Sequence, residues 1–243
     1  MSKANYVIFH PEYARQKVSV NATVMENGNI HKNWNGNIFV DSIRKGNEDP
    51  FVFNTPWLYS YCHATQLKRN INNNSHLQSD SILIFVSGVC ADKDILTIDT
   101  VFQIEAIQKW ERKPELDLPR KYQDISKQSD LWVRHFRFPF EGYHTSVTYT
   151  YEAKLWKDGI SKFSFLPLSK NGNRVSIPFE SLPAQIADQL RDKRKGKYPA
   201  FFDDEEITCI VELIEAESTV KVLRDIICKE EISINKGSCN RSC

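Results

Sequence analysis

The chain has 243 residues, of which 41% are hydrophobic and 26% are charged, so it can bury a core, and a disordered or fibrous chain is excluded. The 32 Lys and Arg residues against 31 Asp and Glu leave a net charge of +1, which excludes nucleic-acid binding through bulk positive charge. The longest apolar run, 82–86, is far shorter than the roughly 20 residues of a membrane-spanning helix.

The N-terminal residues lack the apolar stretch of a signal peptide. Together with the short apolar runs, this predicts a soluble, cytoplasmic protein that does not bind a membrane.

The first 110 residues have the pattern of a strand-rich domain, because short β-branched and aromatic runs recur between Asn, Gly, Pro and Asp. The run 6–9 predicts the first strand. Asn27-Gly28 and Asn35-Gly36 are dipeptides typical of turns. The clearest pair of strands is 81–88 followed by 95–110, which predicts a hairpin.

From 111 to 129 the sequence is rich in charged residues and contains two prolines, which predicts an exposed connection. Strand patterns return in 132–140, 144–156 and 162–168. The residues 170–173 (Lys-Asn-Gly-Asn) predict a turn after the last of these runs.

The last third of the chain changes to a helical period. A helix is predicted over 182–194, and a second one begins near Asp203, where acidic residues suit a helix N-terminus. A third helix is predicted from Glu217 or Ser218. Its apolar face would consist of Val220, Leu223 and Ile227.

The six cysteines include no CxxC pair, so they predict reduced thiols and no zinc site. The motifs GxGxxG, GxxxxGK(S/T), GxSxG and HExxH do not occur. Their absence removes the common routes to dinucleotide, nucleoside triphosphate, acyl-transfer and zinc-protease chemistry. We expect neither a cofactor nor a metal ion.

Residues 56–110 carry a recognisable order of features. A Tyr-Cys pair is followed by a Lys-Arg step, a polar linker, an apolar strand that ends in two small residues, and a long strand that closes on an aromatic. These features are Tyr61-Cys62, Lys68-Arg69, Ser79-Asp80, Ser87-Gly88 and the strand from Thr100 to Trp110.

This order resembles the nucleotide-modification-associated domains of phages and bacteria and, more loosely, the PUA-like barrels that include the ASCH and EVE domains. Ser79-Asp80 departs from the Gly-Asp that usually opens the strand. The resemblance implies a small β-barrel that holds a flipped or modified base or a nucleotide. It implies no reaction.

In 57–65, aromatic and polar residues that could contact a ligand alternate with other residues, and this pattern favours the same function on physical grounds. If this segment is a strand, one face presents three aromatic rings, an imidazole and a hydroxyl, which suit base stacking and base-edge recognition. Two cations that follow suit flanking phosphates. The candidate ligand-binding residues are Trp57, Tyr59, Tyr61, His63, Thr65, Lys68 and Arg69. The alternative for the aromatic residues is an ordinary core face.

Two H-x-(S/T) tripeptides support a second hypothesis. His63 with Thr65, and His144 with Ser146, have the pattern of two-histidine phosphoesterases, in which one imidazole acts as base and the other as acid. Such an enzyme would cleave a cyclic or short oligonucleotide. Short motifs of this kind also occur by chance.

The sequence therefore predicts an α+β fold with a PUA-like, mostly antiparallel β-barrel in 1–112 and, in 113–243, a strand-plus-helix extension that packs on the barrel and has a helical C-terminal third. The predicted function is binding of a nucleic-acid base or modified nucleotide, in the service of DNA modification or its recognition, as a phage or bacterial accessory protein. The alternatives are the phosphoesterase and a non-catalytic protein-interaction module. The oligomeric state is left open.

Overall fold

The computed structural model describes residues 2–9, 16–40, 50–53, 55–60, 67, 75–87, 94–111, 147–196 and 199–229. Strands hold 53% of these residues and helices 20%. The predicted fold class is wrong: the described residues form a mainly β structure with open sheets, with no closed barrel and no helical C-terminal third among them.

Thirteen strands lie within the described residues. They are β1 Ser2–Lys3, β2 Asn5–Phe9, β3 Gln16–Glu26, β4 Asn29–Val40, β5 Leu58–Ser60, β6 Ser75–His76, β7 Ile82–Ser87, β8 Ile95–Glu111, β9 Val147–Ala153, β10 Leu166–Leu168, β11 Ser176–Pro178, β12 Ala200–Phe202 and β13 Val220–Cys228. The two α-helices of the same residues are α1 Ala184–Gly196 and α2 Asp204–Glu217.

The strands form three sheets. The seven-stranded sheet, called the central sheet below, has the order β12-β2-β7-β8-β9-β5, with β11 paired to β8. The four-stranded sheet has the order β10-β13-β3-β4, and β1 pairs with β6 in the third. Within the central sheet β2 and β7 are parallel, and the other pairs are antiparallel.

Both larger sheets combine strands from the two ends of the chain. β13 lies between β10 and β3, and β12 pairs with β2. This exchange is the physical reason why the N-terminal strands do not close on themselves as a barrel. The predicted boundary near residue 112 lies outside the described residues, so the division into 1–112 and 113–243 stays a prediction.

The central sheet is covered on both faces, and its strands β2 and β7 are therefore buried throughout. Alternate residues point to opposite faces. One set contributes to core A, which the central sheet shares with the four-stranded sheet, and the other set contributes to core B. In β7, Leu83 and Phe85 belong to core A, whereas Ile82, Ile84 and Val86 belong to core B.

Core B includes residues of both helices. The apolar face of α2 contributes Ile207, Ile210 and Ile214. Asp203 accepts hydrogen bonds from the first-turn amides of α2, and Glu206 accepts one in return from the Asp203 amide. This capping box satisfies N–H groups that a helix start leaves without partners. The prediction of a helix that begins near Asp203 is confirmed.

Other local predictions are also confirmed. β7 and β8 pair antiparallel as the expected hairpin, and β9 lies within the predicted strand 144–156. The Asn27-Gly28 pair joins β3 to β4 with positive φ angles of 49° and 79°, which is the geometry of a tight hairpin turn. The predicted strand 132–140 lies outside the described residues.

The third predicted helix is wrong, because 220–228 forms β13. The three apolar residues that suggested a helix do not share one face of the strand. Val220 belongs to core A, Leu223 belongs to core B, and Ile227 is 65% exposed. A strand that is buried on both faces can thus carry apolar residues at a spacing that resembles a helical period.

The turn predicted at Asn35-Gly36 is also wrong, since both residues lie inside β4 and pair with β3. Gly36 is needed there for a different reason. A Cβ atom at this position would overlap the ring of Trp34, which is half-buried and packs against core A. Glycine here permits a close approach of ring to backbone.

Neither helix of the described residues is long and apolar enough to cross a membrane.

We predict that Gly36→Ala lowers the free energy of unfolding by about 1–3 kcal/mol, because the added methyl displaces the Trp34 ring from its packing. Chemical denaturation measures this change. In a Trp34→Ala background the same substitution should cost much less, since the overlapping ring is gone. An equal cost in both backgrounds would contradict the explanation.

Candidate functional site

The pairing of β5 with β9 brings three tyrosine rings into one row. Tyr59 lies directly opposite Tyr151 in the register, and their stacked rings are 6.0 Å apart between centroids. Tyr149 stacks on the other side of Tyr151 at 6.4 Å. Because side chains two residues apart share a face of a strand, the Tyr-Thr-Tyr sequence of β9 sets two members of this tyrosine row (Tyr59, Tyr151, Tyr149).

The tyrosine row extends from the interior of core A towards its margin. Tyr59 and Tyr151 are completely buried, and Tyr149 is only partly buried and packs against core A. Phe85 of β7 meets Tyr59 edge to face at 4.9 Å. The partly exposed end at Tyr149 is therefore the point at which the row approaches solvent.

Trp57 lies beside the row, two residues before Tyr59. Its carbonyl oxygen accepts a hydrogen bond of 3.0 Å from the amide of Ala153, which anchors it to β9. The Trp57 side chain is completely buried in core A. The residues that share core A with it are aliphatic or aromatic.

Two buried polar atoms in this region lack hydrogen-bond partners within the described part of the chain. They are Trp57 Nε1 and Tyr151 Oη, called the indole–phenol pair below. A buried donor or acceptor that is left unsatisfied costs about 1–3 kcal/mol. Such atoms in a native structure point to a water, ion or ligand that completes them.

Several other buried polar side chains among the described residues do have partners. Asn5 Oδ1 accepts a hydrogen bond of 2.8 Å from the amide of Ile82. Asp99 Oδ1 accepts from Ser87 Oγ and from Arg174, each at 3.1 Å. The indole–phenol pair differs from these groups, because its polar atoms have no hydrogen-bond partner among the described residues.

The phenols of Tyr151 and Tyr6 remain protonated. Burial raises the pKa of Tyr151 far above its ordinary value, and the nearby phenols of Tyr149 and Tyr6 raise it further. Burial also raises the pKa of Tyr6, whose hydroxyl donates a hydrogen bond of 2.9 Å to the Leu67 carbonyl. Tyr151 and Tyr6 are therefore neutral hydrogen-bonding groups.

The structure describes only part of the predicted binding ribbon. Trp57 and Tyr59 lie in core A and do not face solvent. The other candidates, Tyr61, His63, Thr65, Lys68 and Arg69, lie outside the described residues, as do His144 and Ser146 of the phosphoesterase hypothesis. Their roles stay predictions.

Sequence reasoning missed Tyr149 and Tyr151. The alternation in 145–156 predicted a half-buried strand but not its partner, and only the pairing of β5 with β9 places these rings beside Tyr59. The sequence does contain an alternating Tyr-Thr-Tyr pattern at 149–151. Without knowledge that β9 pairs with β5, this pattern does not indicate a site.

A second polar cluster lies at the surface around Asp80. Its Oδ1 accepts hydrogen bonds from Lys154 Nζ at 2.7 Å and from Gln103 Nε2 at 3.2 Å. The hydrogen bond from Lys154 lowers the pKa of Asp80, with help from the positive charge of Lys3. Asp80 has a positive φ of 68°, a conformation that Asp and Asn tolerate better than most residues.

No group of three His, Cys, Asp or Glu residues in the described ranges is arranged to hold a metal ion.

No protein-family model matches the chain, and searches of curated proteins and of solved structures found no match either. The resemblance to nucleotide-modification-associated domains therefore stays a prediction from the sequence.

We predict that Asp80→Asn lowers the free energy of unfolding at pH 7 by less than about 1 kcal/mol, because the ion pair with Lys154 is solvent-exposed. A carboxylate whose pKa is lowered by folding stabilises the folded protein at pH values above its unfolded-state pKa. This stabilisation disappears as the pH falls through the folded-state pKa. The difference between wild type and variant should therefore shrink below about pH 4.

Denaturation curves at several pH values test this prediction. Asn also tolerates the positive φ of position 80, so the substitution changes only the charge. Lys154→Gln serves as the matched partner variant. A difference that grows towards acid pH would contradict the assignment.

Proposed function

We propose that the protein binds a nucleic-acid base or modified nucleotide, in the service of DNA modification or its recognition, and that the tyrosine row and Trp57 form the wall of the binding site. The observation that carries the proposal is the indole–phenol pair. Two buried polar atoms beside stacked aromatic rings have unused hydrogen-bonding capacity among the described residues.

A protein that recognises a base needs few components. It needs aromatic faces for stacking and a small number of polar groups that meet the base edge. The tyrosine row supplies the first component and the indole–phenol pair supplies the second. The net charge of +1 agrees with recognition of a base rather than of a long phosphate backbone.

The position of β5 supports the proposal as well. This strand ends at Ser60, so the predicted ribbon residues Tyr61, His63 and Thr65 follow it directly in the chain. Lys68 and Arg69 come next, and we propose that they meet the phosphates of the same ligand. Tyr149, at the partly exposed end of the row, is the ring against which an entering base first stacks.

The proposal predicts that a thermal-shift screen of nucleosides, modified nucleosides and nucleotides finds a stabilising ligand. A ligand at 100 times its dissociation constant stabilises the folded state by about 2.7 kcal/mol. Tyr149→Ala should weaken binding of that ligand about tenfold or more, since stacking on an aromatic side chain contributes about 1–3 kcal/mol per base.

Tyr149→Phe keeps the ring and is the matched control, so its affinity should stay within about twofold of wild type. Circular dichroism of each variant verifies the fold. A screen without any ligand, or equal affinities of Tyr149→Ala and wild type, would overturn the proposal.

A further inference from the structure

Phe201 is an aromatic residue that lies partly in solvent. It is the middle residue of β12, at an edge of the central sheet. Phe201 is 38% exposed, whereas its neighbours Ala200 and Phe202 are completely buried. Within the described residues, Ile227 is the other large hydrophobic residue that is exposed. An aromatic ring at the surface offers a face on which a planar ligand can stack.

The fold holds Phe201 in a fixed position. Phe201 lies opposite Tyr6 in the pairing of β12 with β2, and its carbonyl oxygen accepts a hydrogen bond from Gln189 Nε2 of α1. The rings of Phe201 and Tyr6 meet edge to face at 5.9 Å between centroids. A ring that is already held in place loses little conformational entropy when a base stacks on it.

Tyr6 connects Phe201 to the candidate site. The Tyr6 hydroxyl donates a hydrogen bond of 2.9 Å to the carbonyl oxygen of Leu67, and Leu67 is completely buried in core A. The two cations that are predicted to meet phosphates follow Leu67 directly in the chain. The Tyr6 phenol is also near enough to the Tyr151 phenol to raise its pKa. Tyr6 therefore contacts both Phe201 and Leu67, and it lies close to the tyrosine row.

We infer that Phe201 is a second stacking residue of the binding site, and that the ligand is a single strand of DNA with at least two nucleotides rather than a free nucleotide. This inference rests on the proposed function and names its ligand class. One base enters at the tyrosine row and another base of the same strand stacks on Phe201. Bases that stack on side chains are not stacked within a duplex, which favours a single strand.

A comparison of single nucleotides with strands tests the ligand class. The probes are the four deoxynucleoside 5′-monophosphates and four single-stranded hexadeoxynucleotides, which carry each base in turn at the third position among thymines. For the base that the site accepts, isothermal titration calorimetry should give at least about tenfold tighter binding of the strand, because a second base stacks. Equal affinities for strand and monophosphate would overturn the inference.

Phe201→Leu removes the aromatic face and keeps an apolar side chain against Tyr6. In this variant the ratio of the strand affinity to the monophosphate affinity should fall about tenfold. The fall should be the same at low and high salt, since stacking does not depend on the release of counterions. A ratio equal to that of wild type, or a loss that disappears at high salt, would overturn the inference.

Two control variants isolate the Phe201 ring. Phe201→Tyr keeps the aromatic face, so its affinity ratio should stay within about twofold of wild type. Ile227→Ala removes the other exposed hydrophobic side chain, which lies in the four-stranded sheet, and should also leave the ratio within about twofold. A loss in either control comparable to that of Phe201→Leu would contradict the role of the ring. Circular dichroism of each variant verifies the fold.

The two levels of failure are distinguishable. If monophosphates bind and the strands bind no more tightly, the ligand class is wrong and the proposed function stands. If no nucleoside, nucleotide or strand binds, both are wrong.

Discussion

Burial of both faces of the central sheet is the constraint on which the rest of the structure depends. β7 is apolar along nearly its whole length and is buried at every residue, so a single layer packed on one face would leave the other face in water. The four-stranded sheet covers one face and the helices cover the other. Each cover requires chain segments from far along the sequence, which explains why β12 and β13 enter sheets that begin near the N-terminus.

Burial of both sheet faces also explains why the indole–phenol pair is unusual. Between two packed sheets, a polar atom must find a partner or reduce stability. The protein meets this requirement at Asn5, which hydrogen-bonds to the backbone of β7, and at the Ser87–Asp99–Arg174 cluster. Within the described residues such partners are missing for the indole–phenol pair, beside the tyrosine row at the β5 margin of the central sheet.

Local signals predicted the elements that local interactions determine. Each of these signals depends on neighbours in the chain: the capping residues before α2, the Asn27-Gly28 turn and the alternation in 145–156. The barrel was not predictable in this way, because closure or opening of a sheet depends on which distant strand occupies its edge. β13 shows the difference most clearly, since its apolar residues have a helical spacing in the sequence and only the pairing with β3 and β10 makes this segment a strand.

The candidate site follows the same division. Sequence alternation identified Trp57 and Tyr59 as aromatic residues on one face, and it left open whether they were core or ligand wall. The structure adds Tyr149 and Tyr151 from a strand about 90 positions later. Spatial proximity of that kind comes from strand register, which no short window of sequence contains.

The central claim is that the indole N–H of Trp57 has no acceptor until a ligand arrives. Nitrogen-15 NMR of the tryptophan indoles, with the Trp57 signal assigned by its loss in Trp57→Phe, measures this most directly. We expect the Trp57 N–H to resonate as a non-hydrogen-bonded indole in the ligand-free protein and to move to a hydrogen-bonded position on addition of the bound nucleoside. A hydrogen-bonded signal in the ligand-free protein that does not move with ligand would contradict the claim.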